Sequence, residues 1–265
     1  MEQAAPASRI PVIELTGLSM RFGESRVHED VNLSVYRGEV FALAGGNGCG
    51  KSTLLREIIM LQKPTEGVVR LFGKDLASAD EDERGAQLRR CGVMFQYGAL
   101  FSSLTLAQNI AVPLQEHTRL GKRLIREIAE IKIALVGLPA DSAGKYPNEL
   151  SGGMRKRAAM ARAIALDPEI LFLDEPSSGL DPMSAEGIDE LILHLKGLLG
   201  LTVFMVTHDL DSLWRVTDRV AVLGDGKILG VGTMEELSRL DNPLINPYFH
   251  GPRGRAAGEQ SWKRK

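Results

Sequence analysis

The feature that most constrains this chain is a glycine-rich octapeptide at residues 45–52. It reads Gly-Gly-Asn-Gly-Cys-Gly-Lys-Ser and fits the pattern G-x-x-x-x-G-K-[ST] at every fixed position. The apolar run Val40–Ala44 before it predicts a buried strand, and Ser52–Met60 after it has apolar residues at helical spacing. A strand, a glycine loop and a helix in this order cradle phosphate groups. A glycine-rich turn without a ligand is the alternative, and the Lys-Ser pair argues against it.

Each part of this phosphate loop has its own predicted role. Glycines let the backbone curl round phosphate oxygens, and the positive end of the following helix attracts the same charge. We expect Lys51 to reach the β- and γ-phosphates of a nucleotide and Ser52 to hold Mg²⁺. The predicted nucleotide contacts in the loop are Gly45, Gly46, Asn47, Gly48, Cys49, Gly50, Lys51, Ser52 and Thr53.

Length and composition limit the alternatives. The 265 residues suffice for one large α/β domain with a small subdomain, and the single loop predicts one nucleotide site. The longest apolar runs fall far short of the roughly 20 residues that span a bilayer. The amino-terminal residues do not resemble a secretory signal, and two cysteines form no disulfide framework. We therefore expect a soluble, cytoplasmic protein, and the net charge of −2 predicts no general attraction to nucleic acid.

Three further predicted strands end at polar side chains. They are Cys91–Phe95 followed by Gln96, Ile170–Leu173 followed by Asp174 and Glu175, and Leu201–Val206 followed by Thr207 and His208. The carboxyl ends of strands are where α/β sheets place groups that face ligands. One carboxylate can hold Mg²⁺ while its neighbour polarises an attacking water, and Gln96 is placed to reach either. Each residue alone is typical of a solvated turn, whereas the coincidence of three favours a catalytic site.

Two apolar features have more than one interpretation. Phe22 stands between the predicted strands Val12–Leu15 and Val31–Val35, where its ring either packs in the core or stacks on the adenine of a nucleotide. Tyr97–Phe101 follows Gln96 and is either core or the wall of a groove for a partner's helix. The sequence leaves both alternatives open.

Helical segments joined by glycine and proline occupy residues 97–165 and predict an inserted helical subdomain. One of its helices has Leu124, Ile128, Ile131 and Leu135 on one face, and Ser151 is the expected N-cap of a later helix. Farther along, Asp181 and Thr233 are further expected N-caps.

The carboxyl-terminal residues 241–265 form a predicted extension. Asn242–Pro252 contains three prolines and the aromatic residues Tyr248 and Phe249, which favour an extended segment. It either docks on the partner ATPase subunit or a regulator, or is an ordinary flexible end, and a disordered basic tail is expected from Arg253.

Taken together, these motifs resemble the nucleotide-binding domain of ATP-binding cassette (ABC) proteins over about residues 12–235. The motifs are the phosphate loop, Gln96, Leu150–Met154, Ile170–Glu175, Ser178–Asp181 and His208. The resemblance implies an α/β fold, with a RecA-like P-loop core, an antiparallel β subdomain and the inserted helical subdomain. We accordingly expect an ABC ATPase domain over residues 12–240.

The resemblance also implies roles for the motif residues. Two such domains would sandwich two ATP molecules, with Ser151, Gly152 and Gly153 of one subunit facing the nucleotide of the other. Glu175 would be the catalytic base and His208 the sensor of the γ-phosphate. The implied catalytic set is Glu175, His208, Lys51 and Gln96, the implied Mg²⁺ ligands are Ser52, Gln96 and Asp174, and Asp181 is an implied contact across the dimer.

A narrower resemblance rests on one residue that differs from the usual ABC signature and on three short stretches of sequence. Met154 occupies the position where the ABC signature usually has Gln. This methionine and the stretches at residues 95–101, 113–118 and 155–159 resemble the ATPase subunit of Mla/MCE-type lipid transporters. Those transporters maintain outer-membrane lipid asymmetry. The likeness implies a homodimer at the cytoplasmic face of the inner membrane, a membrane permease, an MCE-type lipid-binding protein and a STAS-domain regulator. The alternatives are a non-transport ABC ATPase in a membrane signalling or division complex, or one in a soluble assembly machine.

Overall fold

The computed structural model describes residues 10–240, 242, 245 and 246 of the chain. Its strands are Pro11–Phe22 (β1), Ser25–Tyr36 (β2), Val40–Gly45 (β3), Glu66–Leu71 (β4), Lys74–Asp75 (β5), Cys91–Met94 (β6), Ile170–Asp174 (β7), Thr202–Val206 (β8), Arg219–Gly224 (β9) and Lys227–Gly232 (β10). Its α-helices are Lys51–Ile58 (α1), Glu81–Arg89 (α2), Leu106–His117 (α3), Lys122–Leu135 (α4), Gly152–Ala163 (α5), Pro182–Leu199 (α6), Leu210–Val216 (α7) and Met234–Ser238 (α8). Short 3₁₀ helices lie at Ala140–Gly144 and Pro147–Glu149.

The strands form two sheets. The smaller one has the order β2-β1-β4-β5 and is antiparallel throughout. The larger one has the order β10-β9-β3-β8-β7-β6, and its neighbours are parallel except for the β9–β10 hairpin at one edge. Parallel neighbours need crossover connections, which the helices supply. The predicted α/β class with a separate antiparallel sheet is confirmed.

The parallel strands are buried on both faces, which explains why they read as continuous apolar runs. Successive side chains of a strand point to opposite faces. In β3, Val40 and Ala42 therefore pack in the core shared with the helices, whereas Phe41 and Leu43 pack in the core shared with the antiparallel sheet and α1. The larger sheet is thus the middle layer between two hydrophobic cores.

The helix α4 is present where the sequence predicts a helix, but its buried face differs from the apolar face that the spacing indicated. Leu124 and Ile131 are 44% and 57% exposed. The side chains that α4 buries include Ile125, Ala129 and Ile133, because α4 packs against α3 and α5 along that neighbouring face. An apolar stripe on a helix predicts burial only where another element covers it.

The helices α6 and α8 begin where the sequence predicts their N-caps. The Asp181 side chain accepts a hydrogen bond from the Ser184 N–H at the start of α6, and Thr233 and Glu236 form a reciprocal capping box. Both N-cap predictions are confirmed. Among the described residues, no helix combines the length and hydropathy needed to cross a membrane.

The described residues of the carboxyl-terminal segment form a turn. The backbone N–H groups of Ile245 and Asn246 both donate to the Asn242 carbonyl. The expected extended backbone is therefore wrong for these residues, because Ile245 folds back and is fully buried near Gly230. The rest of the predicted segment and the basic tail lie outside the described residues.

A cluster of phenylalanine rings from β3, β7 and β8 offers a stability test. The Phe204 ring is fully buried, with centroids 5.9 Å from Phe41 and 5.7 Å from Phe172. Replacing it with alanine should lower the free energy of unfolding by about 3–5 kcal/mol, because buried apolar contacts are lost and the surrounding core relaxes only partly round the cavity. Chemical denaturation measures this. Leu198→Ala, at a side chain 56% exposed, is the control, and equal losses in the two variants would contradict the burial.

Candidate active site

The phosphate loop connects β3 to α1, and its last glycine has a backbone conformation that other residues rarely adopt. Gly50 is the N-cap of α1 and has φ of 97°, in the left-handed region. A Cβ atom at this position would lie 2.6 Å from a side-chain carbon of Val27. Both the backbone conformation and the close contact with Val27 therefore require glycine. Gly50 allows the loop to curve tightly into the N-terminus of α1, where backbone N–H groups attract anions.

Lys51 lies at the centre of this curve. Its side chain is buried, and its ammonium donates hydrogen bonds to the carbonyls of Gly45 and Gly46, both at 2.9 Å. The tip of the loop, Gly46–Gly48, is exposed, whereas Ser52 and Thr53 are partly buried in the first turn of α1. A positive charge enclosed by a loop with an exposed tip is suited to binding phosphate.

The predicted Mg²⁺ ligands Ser52 and Asp174 lie side by side. The Ser52 hydroxyl donates to Asp174 Oδ1 at 3.0 Å, and Asp174 is buried at the end of β7. Mg²⁺ prefers hard oxygen ligands and is usually held by one or two protein groups together with substrate phosphates. These two oxygens fit such an ion. In the part of the chain that the structure describes, no group of three or more His, Cys, Asp or Glu side chains forms a metal cluster, and a site of this kind needs none.

Glu175 and His208 form a second contact at the same edge. His208 Nδ1 lies 2.8 Å from Glu175 Oε1, and the Glu175 N–H donates to the Val206 carbonyl at 2.9 Å. An ionised carboxylate can only accept, so this contact requires the proton on Nδ1. The Glu175 side chain is 10% exposed and that of His208 is 52% exposed, so the pair spans the boundary between core and solvent.

The order of the parallel strands brings these groups together. In the sheet, β3, β8, β7 and β6 are consecutive neighbours, and the residues Leu43, Val206 and Asp174 lie at matching positions. The phosphate loop, His208, Glu175 and Gln96 therefore follow one another along one edge. Gln96 is partly buried after β6, and its role towards Mg²⁺ or water stays a prediction.

The triplet Ser151–Gly153 lies at another helix N-terminus. The Ser151 hydroxyl accepts a hydrogen bond from the Met154 N–H at 3.3 Å, so its predicted capping of α5 is confirmed. Ser151 is exposed, and the side chains nearest to the two glycines are those of Leu180 and Ser184. A helix N-terminus open to solvent is available to an anion carried by another molecule.

The structure excludes core packing for three of the aromatic rings and leaves the other interpretation of each feature as a prediction. Phe22 at the end of β1 is 52% exposed, so it is not a core residue, and its stacking on adenine stays a prediction. Tyr97 and Phe101 are 92% and 51% exposed, which also excludes core packing for their rings. Leu100 between them packs partly against the core.

Sequence reasoning missed Lys156, which is buried beside Glu175. It stands in the basic run Arg155–Arg157, a pattern typical of a solvated surface. A signal was nevertheless present, because Ala159 and Met160, one turn later, are apolar and buried. Lys156 lies on the same face of α5 as these two apolar residues, and this position could have indicated that its side chain is buried.

Comparison with known proteins assigns a family to this arrangement. The family model described as ABC transporter matches residues 28–178. The chain is 41% identical over 241 residues to the probable ribonucleotide transport ATP-binding protein mkl of Mycobacterium tuberculosis, covering 91% of this chain and 67% of the relative. It is 40% identical over 227 residues to the methionine import ATP-binding protein MetN of Brucella abortus, covering 86% of this chain and 61% of that relative.

Solved structures agree with the family match. A dimeric post-hydrolysis state of the ATP-binding cassette MJ0796 bound to ADP and Pi has a TM-score of 0.76 and 32% identity, covering 83% of this chain and 98% of that one. The cbiO1 protein from Clostridium perfringens, part of the ABC transporter complex cbiONQ, has a TM-score of 0.78 and 26% identity, covering 94% of this chain and 98% of that one.

The contact between Glu175 and His208 leads to a test of catalysis. Glu175→Gln should reduce ATP hydrolysis by about 100-fold or more, because an amide cannot take the proton of the attacking water. Binding of Mg-ATP should survive, since Lys51 and the loop are unchanged. Steady-state hydrolysis and equilibrium nucleotide binding measure the two effects, with Glu190→Gln on the exposed face of α6 as the matched control. Near-normal hydrolysis in the Glu175 variant would remove this residue from the catalytic role.

Proposed function

Since this chain belongs to the ABC transporter family and is an ATP-hydrolysing subunit, we propose that it dimerises on ATP and drives lipid transport through a membrane permease. Phospholipid is the proposed cargo, and maintenance of outer-membrane lipid asymmetry is the proposed setting. The observation that carries the ATPase function is the convergence of the phosphate loop, Asp174, Glu175 and His208 at one edge of the sheet. The proposed ATPase domain spans residues 12–240.

The geometry supports a separate role for each residue of the site. Lys51 and the loop N–H groups bind the phosphates. Ser52 and Asp174 would hold Mg²⁺, and the charge that such an ion supplies would stabilise the phosphate oxygens. Glu175 accepts the proton of the attacking water, and His208 orients that carboxylate through the 2.8 Å contact. Phe22 supports the adenine from the end of β1.

We propose that the second half of each site comes from another copy of the chain. Ser151 caps the exposed N-terminus of α5, and Gly152 and Gly153 are the first two residues of that helix. Asp181 is also exposed, and hydrogen bonds from Ser184 hold the pKa of its carboxyl below the usual range. Its exposed charge is available for a contact across the dimer. The dimeric MJ0796 structure supports this arrangement.

The proposal of a lipid cargo rests on this chain's own sequence. Met154 replaces the usual signature Gln, and the stretches at residues 95–101, 113–118 and 155–159 are similar to those of Mla/MCE-type ATPases. The names of the relatives mention ribonucleotide and methionine, which differ from each other.

A groove between α2, β6, α3 and α5 is the proposed docking site for the permease. It opens beside the Tyr97–Phe101 segment, and its lining includes Leu88, Cys91, Val93, Phe101, Pro113 and Leu166. Arg162 donates to the carbonyls of Gly98 and Ala99, so this segment is held in place before any partner binds. Docking here would place the chain at the cytoplasmic face of the inner membrane. An MCE-type protein and a STAS-domain regulator are further proposed partners, and nucleic acid is not.

The proposed dimer can be tested by crosslinking. In a Glu175→Gln background, a Ser151→Cys variant should join to Cys49 of a second copy through a short bismaleimide only when Mg-ATP is present, because the loop and the signature then face each other. Denaturing electrophoresis and mass spectrometry identify the product, and Cys49→Ser should abolish it. Nucleotide-independent products, or crosslinks within one chain, would contradict the sandwich.

The proposed cargo can be tested with the native complex. Purified from its own membranes, the chain should bring a permease and an MCE-type protein with it, and phospholipid should stimulate ATP hydrolysis by the reconstituted complex. Ribonucleotide or methionine should not. Phe101→Asp should abolish recovery of the permease, whereas Leu198→Asp, distant in sequence on α6, should retain it. Recovery of a division protein without a permease, or stimulation by the small solutes alone, would overturn the lipid proposal.

A further inference from the structure

The helix α5 carries a lysine whose ammonium lies among the loops of the active site. Lys156 Nζ donates to the Gln96 carbonyl at 2.6 Å, to the Glu175 carbonyl at 2.9 Å and to the Ser178 hydroxyl at 3.2 Å. An ammonium has three N–H donors, and here each has an acceptor. One side chain therefore links two separate segments, the one that follows β6 and the one that follows β7.

The burial of this charge is costly, which argues against a role in packing alone. Lys156 is 8% exposed, and none of the three acceptors is a carboxylate. Burial lowers the pKa of the Lys156 ammonium, whereas the carboxylates of Glu175 and Asp174 favour the charged form. An apolar side chain of similar length would fill the space without the desolvation penalty. What the apolar side chain would lack is the set of directed hydrogen bonds.

The backbone at Glu175 shows what these hydrogen bonds hold. Glu175 has φ of 49°, in the left-handed region that is unfavourable for a residue with a side chain. Its carbonyl accepts hydrogen bonds from both Lys156 Nζ and Ser178 Oγ, the latter at 2.9 Å. If the carbonyl were released, the backbone could relax towards an ordinary conformation. The carboxylate beside His208 would then move with it.

We propose that Lys156 is a positioning residue that holds the Glu175 carboxylate in its reactive orientation by fixing the backbone carbonyls of Gln96 and Glu175 and the hydroxyl of Ser178 to α5. This inference rests on the proposed catalytic role of Glu175. The helix α5 is capped by Ser151, which is proposed to face the nucleotide of a second copy. Through Lys156 the same helix also contacts the chain's own Glu175.

The chain offers a matched control for removing a buried ammonium. Lys132 in α4 is 4% exposed and pairs with Asp167, whose side chain is 74% exposed. Lys156→Met should lower kcat about 10- to 100-fold, because small displacements of a catalytic group cost rate on this scale. Its affinity for Mg-ATP should be unchanged. Lys132→Met should leave kcat unchanged, and Lys156→Arg should recover much of the lost rate because a guanidinium also donates to carbonyls.

Hydrolysis, nucleotide affinity and thermal melting are measured together on the purified full chain. A wild-type kcat in Lys156→Met would overturn the proposal, as would equal losses of kcat in the two methionine variants with equal losses of stability. If Lys156→Met does not fold, Ser178→Ala decides, because it removes one hydrogen bond on the Glu175 carbonyl and one acceptor of the ammonium. Lower kcat with unchanged affinity supports the proposal, and wild-type kcat refutes it. The Glu175→Gln measurement separately tests the role on which the inference depends.

Discussion

The parallel pairing of β3, β8, β7 and β6 is the constraint on which the rest of the structure depends. Parallel neighbours end at the same edge, so whatever follows each strand is delivered to one place. The loop at Gly45–Ser52, Asp174 with Glu175, and His208 meet there although more than 150 residues separate the first from the last. No contact between the motifs themselves is needed to assemble the site.

Burial on both faces makes this sheet a rigid support. The core shared with the antiparallel sheet and the core shared with the helices hold it from opposite sides, so loops at its edge are attached to fixed ends. That rigidity allows an unfavourable backbone at Glu175 to persist. The hydrogen bonds of Lys156 act in the same sense, since they hold the carbonyl of that residue from the neighbouring helix.

Local rules were sufficient wherever neighbouring residues decide the structure. The N-caps at Ser151, Asp181 and Thr233 were predictable because a capping side chain bonds to a backbone group two or three positions away. The buried strands were predictable because covered parallel strands are uniformly apolar. In α4 the same reasoning chose a face containing Leu124 and Ile131, which the structure leaves partly exposed. Which face is covered depends on where α3 and α5 lie, and the helix's own periodicity does not contain that information.

By itself, the sequence determined the fold class, the phosphate loop and the identity of the residues at the strand ends, because these follow from local spacing and from the family pattern. Only the tertiary structure decided that Phe22 and Tyr97 lie outside the core, since exposure depends on neighbours distant in the chain. It also decided the place of Lys156, which looks like a surface residue within a basic run. Its ammonium is buried where two segments, one after β6 and one after β7, supply carbonyl and hydroxyl oxygens. Long-range packing creates such an environment, and local patterns of charge and hydropathy do not encode it.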